Sequence, residues 1–359
     1  MTSVLGTIGW SLVAAAALQV GPSALAQPTP KTSRIPIADT AVSAAPTYLK
    51  TRVSELGRAF NGRVGIAVQS VDDRWSTGYK ADELYPQQSV SKMWVAITAL
   101  DAADRGKVDL DKTVTFDRSD LTLFHQPIAA KILGGGYSTK LNDLMFKAIT
   151  TSDNTANDKL MRSVGGPDAV RRMIANKDLG KIRFYNGERA LQSRIAGLIW
   201  TPSYSIGNAF YEARDALPKS VRKAAFDRYV EDPYDGAAPS AIVGALARLK
   251  RGELLSPEST RRLLYIMGNT KTGANRLKGG LKPGWTLSHK TGTGQVYGPY
   301  QAGYNDIGIL TAPDGKSYAV AVMIKLTSVP LSTRMTLMNN VVRSVIAQHD
   351  MTEGTLAAR

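Results

Sequence analysis

The sequence predicts an α/β fold in which a mixed sheet with flanking helices carries an inserted all-helical domain, with the active site in the cleft between the two. Three observations predict it. Strand-like apolar segments gather near the two ends of the chain, at residues 64–70 and 74–79 and again at 285–290, 304–310 and 317–324. Between them, from Ser89 to about Lys278, the patterns are mainly helical. Three short polar clusters, Ser89-Val90-Ser91-Lys92, Ser152-Asp153-Asn154 and Lys290-Thr291-Gly292, fall where these elements begin or end.

Taken in order, residues 1–26 carry no charged side chain and finish in Ala24-Leu25-Ala26, which reads as a secretory signal cleaved after Ala26. A linker containing Pro and Ser spans 27–46. Leu49, Val53, Leu56 and Phe60 then recur at helical spacing, and two strands follow, joined by a turn at Asp72-Asp73. Helices are expected at 92–103, 141–151, 167–175 and 239–251. The last two strands meet at a Pro313-Asp314-Gly315 turn, and a final helix covers about 333–349. Segments 47–85 and 281–350 are therefore assigned to the α/β domain, 86–280 to the helical domain, and 351–359 to a C-terminal tail. Ser89 is expected to open a helix, Ser152 to lie just past a helix end, and Lys290 to end a strand.

Composition narrows the chemistry. With 43% hydrophobic, 21% charged and 7% aromatic residues the chain is globular, and no segment after the signal approaches the ~20 apolar residues of a membrane span. There is no cysteine, so neither a disulfide framework nor a thiol nucleophile is available. The three histidines, His125, His289 and His349, lack the spacing of a zinc-binding pair, which points away from a metallohydrolase; no cofactor is implied. The formal charge of +15 is spread along the chain without a basic run or stacked aromatics, so no nucleic-acid partner is expected.

The polar clusters suit a serine nucleophile. Lys92 stands one helical turn from Ser89 on the same side, and a serine hydroxyl needs a base within hydrogen-bonding distance. Ser152 is a short donor suited to relaying a proton to a leaving nitrogen, and Asn154 offers an amide to a substrate acyl group and to Lys92. Lys290 with Thr291 and Thr293 supplies charge and hydroxyls for a carboxylate. The backbone N–H groups of Ser89 and Thr293 suit an oxyanion hole. Alone, each cluster is also an ordinary helix cap, turn or strand end.

Together, in this order, they resemble class A serine β-lactamases, whose motif set is Ser-x-x-Lys, Ser-Asp-Asn and Lys-Thr-Gly, and the resemblance covers roughly residues 48–349. The surroundings match too, in Gly165-Gly166-Pro167-Asp168 and in Gly284-Trp285 ahead of His289-Lys290-Thr291-Gly292-Thr293-Gly294. The resemblance implies that Ser89 is acylated by a β-lactam, that Lys92 and Ser152 handle protons, and that Lys290 and Thr291 hold the substrate carboxylate. It identifies Arg276, shortly before Lys290, as a further carboxylate-binding residue, and Phe124 or His125 as the aromatic wall of the cleft. Glu188, in Glu188-Arg189-Ala190-Leu191-Gln192, matches the family's Glu-x-x-Leu-Asn pattern and becomes the deacylation base.

Two departures stand out. Gln192 replaces the asparagine of that pattern, and one extra methylene displaces a bound water by about 1 Å, enough to cost on the order of 10²-fold. Between Gln192 and Asp232-Pro233-Tyr234-Asp235 the chain inserts several tens of residues, including Trp200, Tyr204, Phe210, Tyr211 and Phe226, so the Ω-loop region, 183–235, is enlarged. Asn186 also stands where the family usually places an arginine. The leading expectation is a periplasmic or secreted, monomeric β-lactamase. A D,D-peptidase or esterase, or a slowly deacylating penicillin-binding sensor, are the alternatives.

Overall fold

A computed structural model describes residues 44–357, all within one compact unit; the signal segment 1–26 and most of the 27–46 linker lie outside the described residues. The main sheet runs in the order Ser76–Tyr79, Arg63–Ser70, Ser317–Thr327, Tyr300–Thr311, Thr286–Thr293, with Val296–Tyr297 pairing onto Tyr300–Thr311. Its first two and last strands thus come from opposite ends of the described chain. Every pairing is antiparallel, a finer arrangement than the mixed sheet expected, because the hairpin turns after Ser70 and Thr311 set the directions of neighbouring strands.

Alternation of side chains decides which face each residue serves. Ile66, Val68, Val320, Val322 and Ile324 pack with Leu49 and Val53 of helix Thr47–Ala59 and with Val341 and Val345 of helix Leu331–Ala357. Ala67, Ala319, Ala321 and Met323 face the other way, where Val243 and Leu246 of helix Pro239–Lys250 lie. The run of alanines lets that helix approach closely. With both faces covered, Ser317–Thr327 is buried along almost its whole length, which is why it is apolar without alternation from Tyr318 to Ile324.

Beyond the sheet, helix Lys92–Asp104 is buried at every residue from Lys92 to Ala102. A helix apolar on all sides has to be surrounded, and Leu144, Ile149, Leu160 and Met173 of neighbouring helices join the same core. The helix carries Lys92 at its first turn, so the best-packed element of the helical region delivers a charged group to its edge. A two-stranded pairing of Thr113–Phe116 with Tyr137–Lys140 interrupts the helical region and was not expected. The final helix also runs on to Ala357, into the segment read as a tail. Among the described residues no helix is long and apolar enough to cross a membrane.

The inserted segment folds into helices Ala209–Ala216 and Lys219–Glu231. Phe210 is buried against Leu123 and Ala196, with Trp200 and Tyr204 alongside. Phe226, Tyr229 and Val230 pack with Leu191, Ile195 and Ala302. The insertion is thereby joined both to helix Glu188–Ile195 and to the sheet.

Candidate active site

Ser89 lies in a single 3₁₀ turn, Gln88–Ser91, that feeds helix Lys92–Asp104; it does not begin the α-helix itself. The turn is strained at Gln88, whose φ is +54°, a left-handed conformation that non-glycine residues seldom adopt. Three buried bonds hold it there. Its backbone N–H donates to Asp235 Oδ2 at 2.7 Å, its side-chain Nε2 donates to the Tyr229 hydroxyl at 2.5 Å, and its Oε1 accepts from Gln192 Nε2 at 2.9 Å. The Tyr229 hydroxyl donates in turn to Asp235 Oδ1 at 3.0 Å. Burial pushes the Asp235 carboxyl up to about 6.

Lys92 Nζ donates to Ser89 Oγ at 2.7 Å and also to Glu188 Oε1, in an ion pair whose side chains are 0% and 3% exposed. Glu188 begins its own helix, where its charge meets the positive end of the helix dipole. Gly187 makes the entry possible: its φ is +88°, and a Cβ there would stand 2.8 Å from Met161 Cε. The Glu188 backbone N–H donates to Asp158 Oδ1 at 3.1 Å, and burial, with Glu188 close by, raises the Asp158 carboxyl above its usual range.

Ser152 sits between two helices with φ +60°, which turns its hydroxyl toward Lys290, whose Nζ donates to it at 3.0 Å. Asp153 caps the next helix by accepting from the Ala156 N–H and also accepts from the Ile128 N–H, each at 2.8 Å. Asn154 Nδ2 donates to the Leu123 carbonyl at 2.8 Å, and its backbone N–H to that of His125 at 2.9 Å, so its amide ties down the Leu123–His125 stretch; no bond to Lys92 is formed among the described residues.

Lys290 lies inside strand Thr286–Thr293 and not at its end, opposite Ile307. Its side chain is fully buried behind the cleft, and Nζ divides its bonds between Ser152 and the Thr291 carbonyl. Burial, and next the nearby Lys92 ammonium, drive it well below the ordinary lysine range. Gly292 allows the strand to pass the Gln88–Ser91 turn: a Cβ there would stand 2.2 Å from the Gln87 carbonyl oxygen. Arg276 lies over the Tyr304 ring at 3.8 Å and donates to the Gly292 and Asn305 carbonyls, at 3.0 and 2.7 Å, and to Thr293 Oγ1 at 2.6 Å.

These elements enclose a cavity of about 490 Å³. Ser89, Ser152, Asn154, Glu188, Thr291 and Thr293 line it, and so do Arg276 and Phe124. Lys92, Lys290 and Gly292 lie behind its wall and reach it through Ser89, Ser152 and the strand backbone. Phe124, with φ +58°, stands edge-on to Phe210 of the insertion at 5.0 Å.

No motif in the sequence announces the amide web around the Gln88–Ser91 turn. Gln295 Nε2 donates to the Gln192 carbonyl at 2.8 Å and to Gln192 Oε1 at 3.0 Å, while Gln192 Nε2 reaches Glu188 Oε2 at 3.2 Å as well as Gln88. The only signal in the sequence was the string of glutamines itself, whose partners lie far apart along the chain. Arg214, from the insertion, also lines the cavity. Asn186 accepts from Arg171 at 3.2 Å, and Asp235, at the end of the loop, accepts from the Gln88 N–H.

A family model described as a beta-lactamase enzyme family matches residues 48–349. Among curated proteins, the extended-spectrum β-lactamase PER-1 of Pseudomonas aeruginosa is 29% identical over 287 residues, covering 79% of this chain and 81% of the relative. The β-lactamase CTX-M-25 of Escherichia coli is 28% identical over 283 residues, covering 79% and 82%. Among solved structures, a β-lactamase from Chitinophaga pinensis aligns with a TM-score of 0.69 at 26% identity, covering 84% of this chain and 99% of that one. The TLA-1 extended-spectrum β-lactamase gives 0.68 at 26%, covering 83% and 96%.

Proposed function

Since the chain belongs to the beta-lactamase enzyme family, as a class A serine hydrolase, we propose that it opens β-lactam rings through an ester on Ser89 and clears that ester with water activated by Glu188. The observation that carries this reading is the position of Lys92 Nζ, in contact with Ser89 Oγ at 2.7 Å and with the Glu188 carboxylate. Lys92 passes a proton to Glu188 and accepts that of Ser89 as Oγ attacks the lactam carbonyl carbon. The backbone N–H groups of Ser89 and Thr293 take the developing oxyanion. When the tetrahedral centre collapses the C–N bond breaks; Ser152, held by Lys290, gives its proton to the leaving nitrogen and takes in return the one that Lys92 received from Ser89, after which Glu188 hands its proton back to Lys92.

The Glu188 carboxylate then removes a proton from water as its oxygen adds to the ester carbon; the C–O bond to Ser89 breaks, and the same proton passes to Ser89 Oγ, restoring both residues. Thr291, Thr293 and Arg276 receive the substrate carboxylate. Lys290, buried behind Ser152, supports them through charge and by orienting that serine. The expected site of action is outside the cytoplasm, in keeping with the signal read at residues 1–26.

Time-resolved intact-mass spectrometry with benzylpenicillin, alongside absorbance of the lactam ring, tests the scheme. A transient adduct on Ser89 that decays while many equivalents are consumed is expected. Ser89→Ala should abolish the adduct, and Glu188→Ala should retain it while turnover falls on the order of 10²–10⁴-fold. One persistent equivalent on the parent protein would favour the sensor or D,D-peptidase alternative. Unchanged turnover in E188A would remove Glu188 as the base.

A further inference from the structure

The insertion contributes a charged side chain to the cavity. Arg214, on helix Ala209–Ala216, is one of three charged residues in the cavity lining, with Glu188 and Arg276. Glu188 is neutralised by Lys92. Arg276 makes no ion pair among the described residues and spends its donors on two carbonyls and a threonine hydroxyl. Among the described residues the Arg214 side chain is hydrogen-bonded through Nε alone, to Asp215 Oδ1 at 3.1 Å, and the same oxygen accepts from Arg222 at 3.0 Å. One carboxylate thus serves two guanidinium groups, and both Nη nitrogens of Arg214 lack hydrogen-bond partners among the described residues. Its side chain is 25% exposed, so it is partly desolvated yet open to the cavity.

Location separates this cation from the one at the strand. Arg276 is fixed beside Gly292 and Thr293, where the ring carboxylate is proposed to bind. Arg214 lies beside Tyr211, its guanidinium 5.2 Å from the ring, and Tyr211 and Phe210 of the same helix contact Phe124. That wall is supplied by the insertion, whereas Arg276 is bonded to the strand itself.

We propose that Arg214 binds a carboxylate carried on the acyl side chain of the β-lactam, so that the insertion selects substrates with a second negative charge remote from the ring. This rests on the acyl-enzyme reading above. A guanidinium with two free Nη donors matches a carboxylate in a bidentate pair, and the aromatic groups beside it suit an aryl substituent on the same side chain.

The test compares α-carboxybenzylpenicillin with benzylpenicillin, which differ by the carboxylate alone. In R214A the ratio of their kcat/KM values is expected to fall about 10-fold, mainly through KM for the carboxylated compound, as for loss of a hydrogen-bonded charge pair. Arg214→Lys should keep most of the preference and Arg214→Glu should reduce it further. Raising ionic strength should shrink the ratio more in the parent protein than in R214Q, which gives a second readout should R214A fold poorly. An unchanged ratio in the folded variants, or a salt response shared by parent and R214Q, overturns the proposal. Ser89 acylation rates by mass spectrometry keep the two readings apart. If both compounds acylate but neither turns over, Glu188 is misassigned while the ratio of acylation rates still tests Arg214. If neither acylates Ser89, both readings fail.

Discussion

The Lys92 ammonium and the Glu188 carboxylate form an ion pair almost sealed from water, and the same ammonium touches Ser89 Oγ. A buried pair is costly to break from one side, because the remaining charge has neither water nor partner. We predict that K92M and E188L are each destabilised by about 3–5 kcal/mol, while the double variant is more stable than either. A double-mutant cycle by urea unfolding checks this; additive losses would show that the two charges do not stabilise one another.

Gln192 donates to Glu188 Oε2, the oxygen that the proposed hydrolytic water needs, and is itself held by Gln295. Shortening it by one methylene in Gln192→Asn withdraws the amide from Gln88 and frees that oxygen. The acyl-enzyme lifetime should fall by up to about 10²-fold, the scale expected for a positioning shift near 1 Å, with acylation little changed. Stopped acid-quench mass spectrometry measures both steps. A lifetime that stays the same or lengthens would show that Gln192 helps Glu188 instead.

Asp235 is pushed up to about 6 by burial, from an ordinary value of 3.8. A carboxyl raised on folding lends stability that is fully present below the unfolded value and is lost as pH climbs to the folded one. Relative to D235N, the parent should therefore lose up to about 3 kcal/mol between pH 4 and a little above 6, and nothing further beyond. Urea midpoints across that range test it. A difference that stays constant with pH would mean that Asp235 is ionised throughout.

Phe210 is 1% exposed and meets Phe124 edge-on at 5.0 Å. Phe210→Ala should cost about 3–5 kcal/mol, through lost burial and the cavity left behind. If the insertion unfolds locally, before the core does, hydrogen exchange will speed up across 198–217 and stay slow in helix Lys92–Asp104. Uniform acceleration would instead make the insertion part of one cooperative unit with the core.

Legibility in the sequence followed the range of the interactions. Strand Ser317–Thr327 and helix Lys92–Asp104 were readable because their patterns report burial by near neighbours. The motifs that single out Ser89, Lys92, Ser152 and Glu188 are local, and the structure brings these four residues to one cavity or its wall. What escaped was whatever depends on distant partners. The hydrogen bonds of Gln88 to Tyr229, Asp235 and Gln192 join side chains from separate segments, and an amide gives no sign in sequence of which group it will meet. Thr113–Phe116 is short and half exposed, so its alternation was too brief to register. The open Nη donors of Arg214 become visible only once its helix has been laid beside the cavity.

At Gly292 the strand passes so close to the Gln87 carbonyl that the smallest side chain would collide with it. The distance between strand Thr286–Thr293 and the Gln88–Ser91 turn is therefore set by main chain against main chain. Side chains around this gap can be exchanged to change what enters. The gap itself behaves as a fixed gauge, and a substitution at position 292 would displace Ser89, the proposed nucleophile, before it altered selectivity.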